Sequence, residues 1–267
     1  RVLLKTAQSN PFMDNPQIGR GLILHPSLPL LGLFDGLINL AEGLDSSVYA
    51  DSFGAVPGFI FEAMSGLPAY GSLLVPGSGK QVYEQMTRFN NYAGFGCMLV
   101  DTPSENNRVI LDSSGNTAIE YKLSESDRKR FRIGAAMGVR MMFLAGAKQV
   151  IVPSNENLLE RGGFDPMQGT YLTQIDQADL VEKNLNFIPN RTVLTAAHLQ
   201  ATNKMGRADD GAVISRNQRV YTKEGREVPN LYVMDSSIFP TSVGANPMQA
   251  IYTFAKIFSD RLIQGIP

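Results

Sequence analysis

The chain has very few of the side chains that build disulfides and metal sites. Its 267 residues include one cysteine, Cys97, and two histidines, His25 and His198. A single thiol excludes an intrachain disulfide and any cage of several cysteines, and two histidines are too few for a typical zinc site, so we predict no metal. Cys97 stands in the apolar run Gly94–Val100, which favours a buried, unreactive thiol.

The chain also has no large excess of positive or negative charge. Lys+Arg 24 against Asp+Glu 25 gives a formal net charge of -1, so the composition does not favour a nucleic acid as partner. Hydrophobic residues at 43% and charged residues at 18% fit an ordered globular fold. The length is sufficient for one large domain or two small ones.

Long apolar runs are absent as well. No uninterrupted apolar stretch reaches ~18 residues, so we predict no membrane-spanning helix. The opening residues, Arg1–Lys5, are too short an apolar run for a signal peptide. We expect any targeting signal to lie upstream of this chain, which leaves the compartment open.

The patterns that are present indicate both helices and strands. Helical spacing of apolar residues from Asp35 to Leu44 predicts a short helix, and the glycine and proline residues of 51–79 predict irregular structure. Val109–Leu111 and Ala118–Tyr121, joined by a glycine-containing loop, predict a hairpin.

The second half of the chain carries clearer signals. Ser124 followed by Asp127 predicts a helix start, with the helix running to about Ala145. A short strand over Gln149–Val152, a helix over Asp176–Lys183 and a strand over Leu231–Met234 are predicted after it. The last helix is predicted to have Asn246 as its N-cap and Pro247 as its first helical residue.

Two segments of the last quarter resemble the C-terminal signature of the glucose-methanol-choline (GMC) flavoprotein oxidoreductases. The first is Thr195–Gly206, which follows the family's His-x-x-Gly-Thr-x-x-Met-Gly pattern from His198 onward, with Ala201 in place of the usual glycine. The second is Asn230–Met248, with its Asp-Ser-Ser turn and Asn-Pro-Met helix start. Gly19–Pro26 also resembles the family's Gly-x-Asn-Leu-x-x-His-Pro segment.

The resemblance implies an α+β fold: a substrate domain with an antiparallel sheet and helices, and the C-terminal part of the FAD-binding lobe. It divides the chain into residues 1–26, belonging to or bordering that lobe, a substrate-binding domain over 27–192, and a catalytic segment over 193–267 that returns to the lobe. The Gly-x-Gly-x-x-Gly fingerprint of the FAD-binding part is not found in the sequence. We therefore expect a complementary N-terminal FAD-binding chain or fragment as partner.

The resemblance also implies roles for individual residues. Alcohol oxidation needs a base with a pKa near neutrality and a hydride acceptor such as flavin. His198 falls on the family's catalytic histidine, and Asn246 falls on a second position that holds histidine or asparagine. Asn246, Pro247 and Met248 would border the flavin ring, and Asp235 and Ser236 would lie against the ribityl and phosphate part.

Several alternatives stay open at this stage. Asn246 can orient the substrate hydroxyl or only cap the helix, and His25 is interpreted as structural. The leucines between Leu22 and Leu44 either border an entrance for a bulky apolar alcohol or pack into a core. The chain as a whole is either the catalytic part of an FAD-dependent alcohol oxidase or dehydrogenase, or a non-catalytic scaffold subunit that keeps the fold.

Overall fold

The computed structural model describes residues 1–43, 46–56 and 58–265. Its helices are α1 (Val2–Ser9), α2 (Pro68–Leu74), α3 (Lys80–Met86), α4 (Glu125–Leu144), α5 (Gln177–Asn184) and α6 (Met248–Ile263). Its strands are β1 (Ser27–Leu33), β2 (Tyr49–Ala50), β3 (Phe59–Ala63), β4 (Tyr92–Leu99), β5 (Arg108–Leu111), β6 (Thr117–Glu120), β7 (Gln149–Ile151), β8 (Arg219–Tyr221) and β9 (Glu227–Tyr232).

The chain folds into two compact units, each built from separate stretches of sequence. The first unit comprises Arg1–His25, Asp101–Leu123 and Ala197–Pro267, and the second comprises Pro26–Val100 and Ser124–Ala196. The segment 101–123 therefore belongs with the two ends of the chain, whereas the sequence-based division counted it within 27–192. The assignment of these units to an FAD lobe and a substrate domain stays a prediction.

The second unit is an antiparallel five-stranded sheet with helices. Its strand order is β2-β3-β4-β1-β7. The leucines of β1, namely Leu28, Leu30, Leu31 and Leu33, are all buried. The packed-core alternative is therefore correct for these leucines, and they leave little apolar surface for a substrate entrance.

Helix α4 begins with the capping box that the sequence predicts. The Ser124 hydroxyl accepts the Asp127 N–H at 3.0 Å, and the Asp127 carboxylate accepts the Ser124 N–H at 3.3 Å. The helix packs on β1, β3 and β4 through small residues: a side chain at Gly134 would come within 2.5 Å of the Cys97 sulfur, and one at Gly138 would overlap Leu30. Burial raises the pKa of the Cys97 thiol, as expected for an unreactive cysteine.

Gly138→Ala is expected to destabilise the chain by about 1–2 kcal/mol, because the overlap with Leu30 outweighs the higher helix propensity of alanine. Urea denaturation measures the change. Leu144→Ala in the same helix is the control, since Leu144 is 79% exposed and its loss should change stability by less than about 0.5 kcal/mol. Equal stability of Gly138→Ala and the unsubstituted chain would contradict the close helix–sheet contact.

The first unit has its own core, which gathers residues from both chain ends. Its buried members are Leu3, Met13, Ile18, Val213, Ile214, Val220, Ile238 and Phe239. One face of α6, with Ile251 and Phe254, packs against them. The predicted hairpin is present as β5 and β6, which pair from Arg108↔Glu120 to Leu111↔Thr117. In the described part of the chain, no helix combines the length and apolar character that a bilayer span requires.

Four predictions of secondary structure need correction. Residues 35–43 form turns and bends rather than a helix, and Leu44 lies outside the described residues. The stretch 51–79 holds β3 and α2 and is not wholly irregular. The strand near 231–234 begins earlier, at Glu227, and ends at Tyr232. Helix α6 begins at Met248 with Pro247 as N-cap, so the prediction that Asn246 caps it is wrong.

Candidate active site

The two segments of the motif lie side by side in the first unit. Backbone N–H groups of Ala201, Asn203 and Met205 donate to the carbonyl oxygens of Ser236, Ser237 and Ile238 at 3.2, 2.8 and 2.8 Å. The Ser236 hydroxyl donates to the Leu199 carbonyl at 2.6 Å. The stretch that begins at His198 is therefore fixed along the Asp-Ser-Ser turn.

His198 has a half-buried ring. Desolvation lowers its pKa below the ordinary value of 6.5, because burial disfavours the charged imidazolium. The neutral form therefore prevails at neutral pH. A neutral imidazole with an accessible ring nitrogen has the protonation state that a general base needs.

The His198 ring lies against His25. The two ring centroids are 5.6 Å apart and the planes meet at 88°, an edge-to-face arrangement. His25 is only 1% exposed. Its pKa falls to about 4, first because it is buried and second because a charge on His198 would repel its own.

A glutamine and a serine connect this pair to the residues before α6. The Gln200 amide nitrogen donates to the His198 carbonyl at 3.2 Å and lies 3.3 Å from His25 Nε2. The Gln200 amide oxygen accepts the Val243 N–H at 3.3 Å. The Ser242 hydroxyl forms a short hydrogen bond with His25 Nε2. The sequence reasoning missed Gln200 and Ser242; the only available signal for Gln200 was its position two residues after His198.

Asp101 holds the backbone at His25. Its carboxylate accepts the Leu24 N–H at 3.1 Å and the His25 N–H at 3.0 Å, and the Tyr121 hydroxyl donates to it at 2.7 Å. Burial raises the pKa of this carboxyl group, although these hydrogen bonds oppose the rise. No local sequence pattern pointed to Asp101, because its partners are distant along the chain.

Asn246 is exposed, and within the described residues its side chain has no hydrogen-bond partner. The first turn of α6 follows directly, and the Ile251 N–H bonds to the Pro247 carbonyl at 2.9 Å. The N–H groups of 248–250 precede that bond and are free of helical partners, so the positive end of the helix dipole is open to an anion. Pro247 is buried and Met248 is 58% exposed.

Asp235 and Ser236 both make local contacts. The Asp235 carboxylate accepts the Ser237 N–H at 2.8 Å, and Ser236 binds the Leu199 carbonyl as described. Asp235 also lines a cavity of about 400 Å³ together with Asn203. Asn203 Oδ1 is buried without a hydrogen-bond partner among the described residues. A cavity lined by a carboxylate and by a residue with an unsatisfied acceptor suits a ligand with hydroxyl groups, such as a ribityl chain.

The predicted site residues thus fall into two groups, one around His198 with Asp235 and Ser236, and one at the start of α6 with Asn246, Pro247 and Met248. Contacts connect His198 to the turn that holds Asp235 and Ser236, and through Gln200 and His25 to Val243 and Ser242. No described contact joins the side chains of His198 and Asn246. No group of three or more His, Cys, Asp or Glu side chains in the described ranges is placed to hold a metal ion.

We expect the charge state of His25 to affect stability. Its folded pKa of about 4 lies below the ordinary 6.5, so the unfolded chain binds more protons between these values. Stability is therefore full above about pH 6.5 and falls by about 3 kcal/mol as the pH drops to 4. Hydrogen exchange of the mutually bonded Ile23 and Gln200 amides measures this change locally. His25→Gln should remove most of the pH dependence, and an unchanged profile would contradict a neutral, buried His25.

The fold is similar to the folds of two solved oxidase structures. A pyridoxine 4-oxidase from Mesorbium loti matches with a TM-score of 0.53 and 18% identity, over 92% of this chain and 44% of that one. A formate oxidase matches with a TM-score of 0.55 and 13% identity, over 92% of this chain and 47% of that one. At these identities the likeness concerns the fold alone.

The family model described as GMC oxidoreductase matches residues 103–255, more than half of the chain. This chain belongs to the GMC oxidoreductase family, and FAD is the cofactor that the family indicates. The match confirms the resemblance in the last quarter.

Curated relatives support the same family. An uncharacterised GMC-type oxidoreductase of Mycobacterium tuberculosis is 27% identical over 94% of this chain and 37% of its own length. A long-chain-alcohol oxidase of Arabidopsis thaliana is 24% identical over 95% of this chain and 33% of its own length. The chain thus spans about a third of the length of these relatives.

Proposed function

We propose that this chain is the substrate-binding and catalytic portion of an FAD-dependent oxidoreductase that oxidises an alcohol, with His198 as the general base. The observation that carries the proposal is the state of the His198 ring. It is half-buried and neutral at neutral pH, and its segment is fixed along the Asp235–Ile238 turn. Bound FAD would accept the hydride that leaves the alcohol carbon.

Residues of this chain would accept the hydroxyl proton and orient the alcohol. An unprotonated ring nitrogen of His198 accepts the hydroxyl proton as the carbon–hydrogen bond breaks. The Asn246 amide is free of the helix cap and donates a hydrogen bond to the substrate oxygen. Because an amide does not titrate usefully, His198 carries the proton transfer alone.

The cofactor would be held at two places in the first unit. Asn246, Pro247 and Met248, with the open N–H groups of α6, suit the side of the flavin ring on which negative charge develops. Asp235 and Ser236 would border the ribityl and phosphate part. Asn203, whose Oδ1 is unsatisfied, lines the same cavity as Asp235 and supports such a ligand there.

A complementary FAD-binding polypeptide would cover the surfaces formed by 1–21 and 193–267. Helix α6 supports this proposal, because none of its residues is buried. Tyr252, Ile257, Leu262 and Ile263 are 66%, 46%, 53% and 83% exposed. An exposed apolar surface of this kind supports a contact with another part of the protein.

A long-chain alcohol is the proposed substrate, and the named activity of the Arabidopsis thaliana relatives now supports it. The leucines of β1 do not support it, because they are buried. We expect the reconstituted flavoprotein to turn over a fatty alcohol faster than a sterol and at least ~10-fold faster than glucose, a difference that burial of a few methylene groups provides. Steady-state kinetics with the three alcohols measures the order. Preference for glucose would end the apolar-substrate proposal and leave the flavin chemistry intact.

A further inference from the structure

We propose that His25 is a positioning residue that fixes both His198 and the loop leading to Asn246. The inference rests on the proposed function, since it assigns His25 a part in the same reaction. It does not require His25 to touch the substrate. The site would then be a catalytic histidine supported by a second, neutral histidine.

The backbone of His25 is held firmly. Its φ angle is 44°, in the left-handed region that non-glycine residues rarely adopt. The two successive N–H groups of Leu24 and His25 both bond to the Asp101 carboxylate, which the Tyr121 hydroxyl supports. Such a conformation persists only where the surroundings impose it, and it often marks a functional position.

The ring of His25 then holds the loop before α6. Its Nε2 shares a short hydrogen bond with the Ser242 hydroxyl, whose oxygen also accepts the Gly244 N–H at 3.2 Å. Gln200 reinforces this contact, because its amide lies beside the His25 ring and accepts the Val243 N–H. The position of residues 242–244, immediately before Asn246, therefore depends on His25.

The His25 ring also lies in an edge-to-face arrangement with the His198 ring. The titratable groups that face His25 are His198 at its ring and Asp101 at its backbone. A second positive charge beside His198 would oppose proton acceptance. A ring that stays neutral down to about pH 4 fixes His198 without that repulsion.

A double-mutant cycle tests the contact with the loop. In the reconstituted flavoprotein, His25→Phe keeps an aromatic ring but loses the hydrogen bond, and Ser242→Ala removes the partner. We expect each variant to slow anaerobic flavin reduction by about 10–100-fold through misplacement of reacting groups, with FAD content unchanged. The double variant should be no slower than the worse single variant, because both substitutions remove one interaction. Fully multiplicative losses would overturn the proposal.

Histidine-selective ¹⁵N labelling of the chain tests the contact with His198 without any turnover. His25→Ala leaves His198 as the one imidazole in the spectrum. We expect the pKa of His198 to rise toward 6.5, since the ring loses the neighbour that keeps it half-buried. Ser154→Ala, which removes a buried hydroxyl in the second unit, is the control and should leave the titration unchanged.

The outcomes separate the two claims. If His25→Phe and Ser242→Ala both keep the unsubstituted reduction rate and His25→Ala keeps the unsubstituted His198 titration, the positioning role is wrong, even if the variants are less stable. If His25→Ala does not fold, Ser242→Ala decides by the reduction rate alone. If His198→Ala reduces flavin normally, the proposed function fails, whatever the His25 variants show.

Discussion

His198→Ala in the reconstituted flavoprotein is expected to slow flavin reduction by an alcohol by about 10²–10⁴-fold, the usual contribution of a positioned general base. The structure gives the physical reason, because the ring is half-buried with a pKa below 6.5 and is therefore ready to accept a proton at neutral pH. Anaerobic stopped-flow absorbance of the flavin measures the rate. FAD content should be unchanged, since His198 is assigned to the substrate rather than to the cofactor.

Asn246→Ala is the matched comparison for this prediction. If Asn246 only orients the hydroxyl, its loss should slow reduction less than the loss of His198, because one neutral hydrogen bond contributes about 0.5–1.5 kcal/mol. A normal rate of flavin reduction by His198→Ala would refute the assignment of the base. It would also favour the scaffold alternative or another proton acceptor.

The isolated chain is expected to bind FAD at least ~100-fold more weakly than the chain together with a complementary polypeptide carrying a glycine-rich fingerprint. The glycine-rich turn and helix start that hold the pyrophosphate are not in this sequence, and charge-assisted hydrogen bonds to phosphate contribute about 1.5–3 kcal/mol each. The residues proposed to bind the cofactor in this chain, around Asp235 and Met248, would contact its other parts.

A flavin absorbance or fluorescence titration measures this difference. Asp235→Asn in the assembled protein is a useful control, because it removes the negative charge and keeps a side-chain oxygen that can accept the Ser237 N–H. We expect it to weaken FAD binding modestly while leaving the fold intact. Tight, stoichiometric uptake of FAD by the isolated chain would contradict the need for a partner.

Local sequence patterns correctly predicted the helices and strands that are specified by residues close together in the chain. Helix α4 followed from Ser124 and Asp127, which form their capping box within one turn. The β5–β6 hairpin followed from two short apolar runs around a glycine turn. The α+β fold followed from the family resemblance, and the fold class is confirmed.

Other elements depend on distant residues and could not be predicted in this way. Strand β1 contains Pro29, which ordinarily excludes a position between two paired strands. In the sheet, β7 pairs only with Leu31–Leu33, so Pro29 lies where β1 has β4 on one side and no β7 on the other. The prediction of a helix over residues 35–44 was wrong for a related reason. Leu37 is 74% exposed, so no core packing stabilises a helix there.

The site could be predicted only in part for the same physical reason. His198 and Asn246 stand in short motifs that a single sequence displays. The environment of His198 comes from His25, Gln200 and Ser242, which lie in three different stretches of the chain. The sequence pattern supports the alignment of His25 with the family segment and says nothing about its ring contact with His198, which only the fold creates.

The pH dependence of anaerobic flavin reduction, compared between the unsubstituted flavoprotein and His198→Ala, tests the central claim most directly. We predict that the rate falls as the pH drops through a pKa below 6.5, because protonation of His198 removes the base. In His198→Ala the remaining slow rate should lack this acidic limb. An acidic limb that persists at the same pKa in His198→Ala would contradict the account, because another group would then be the base.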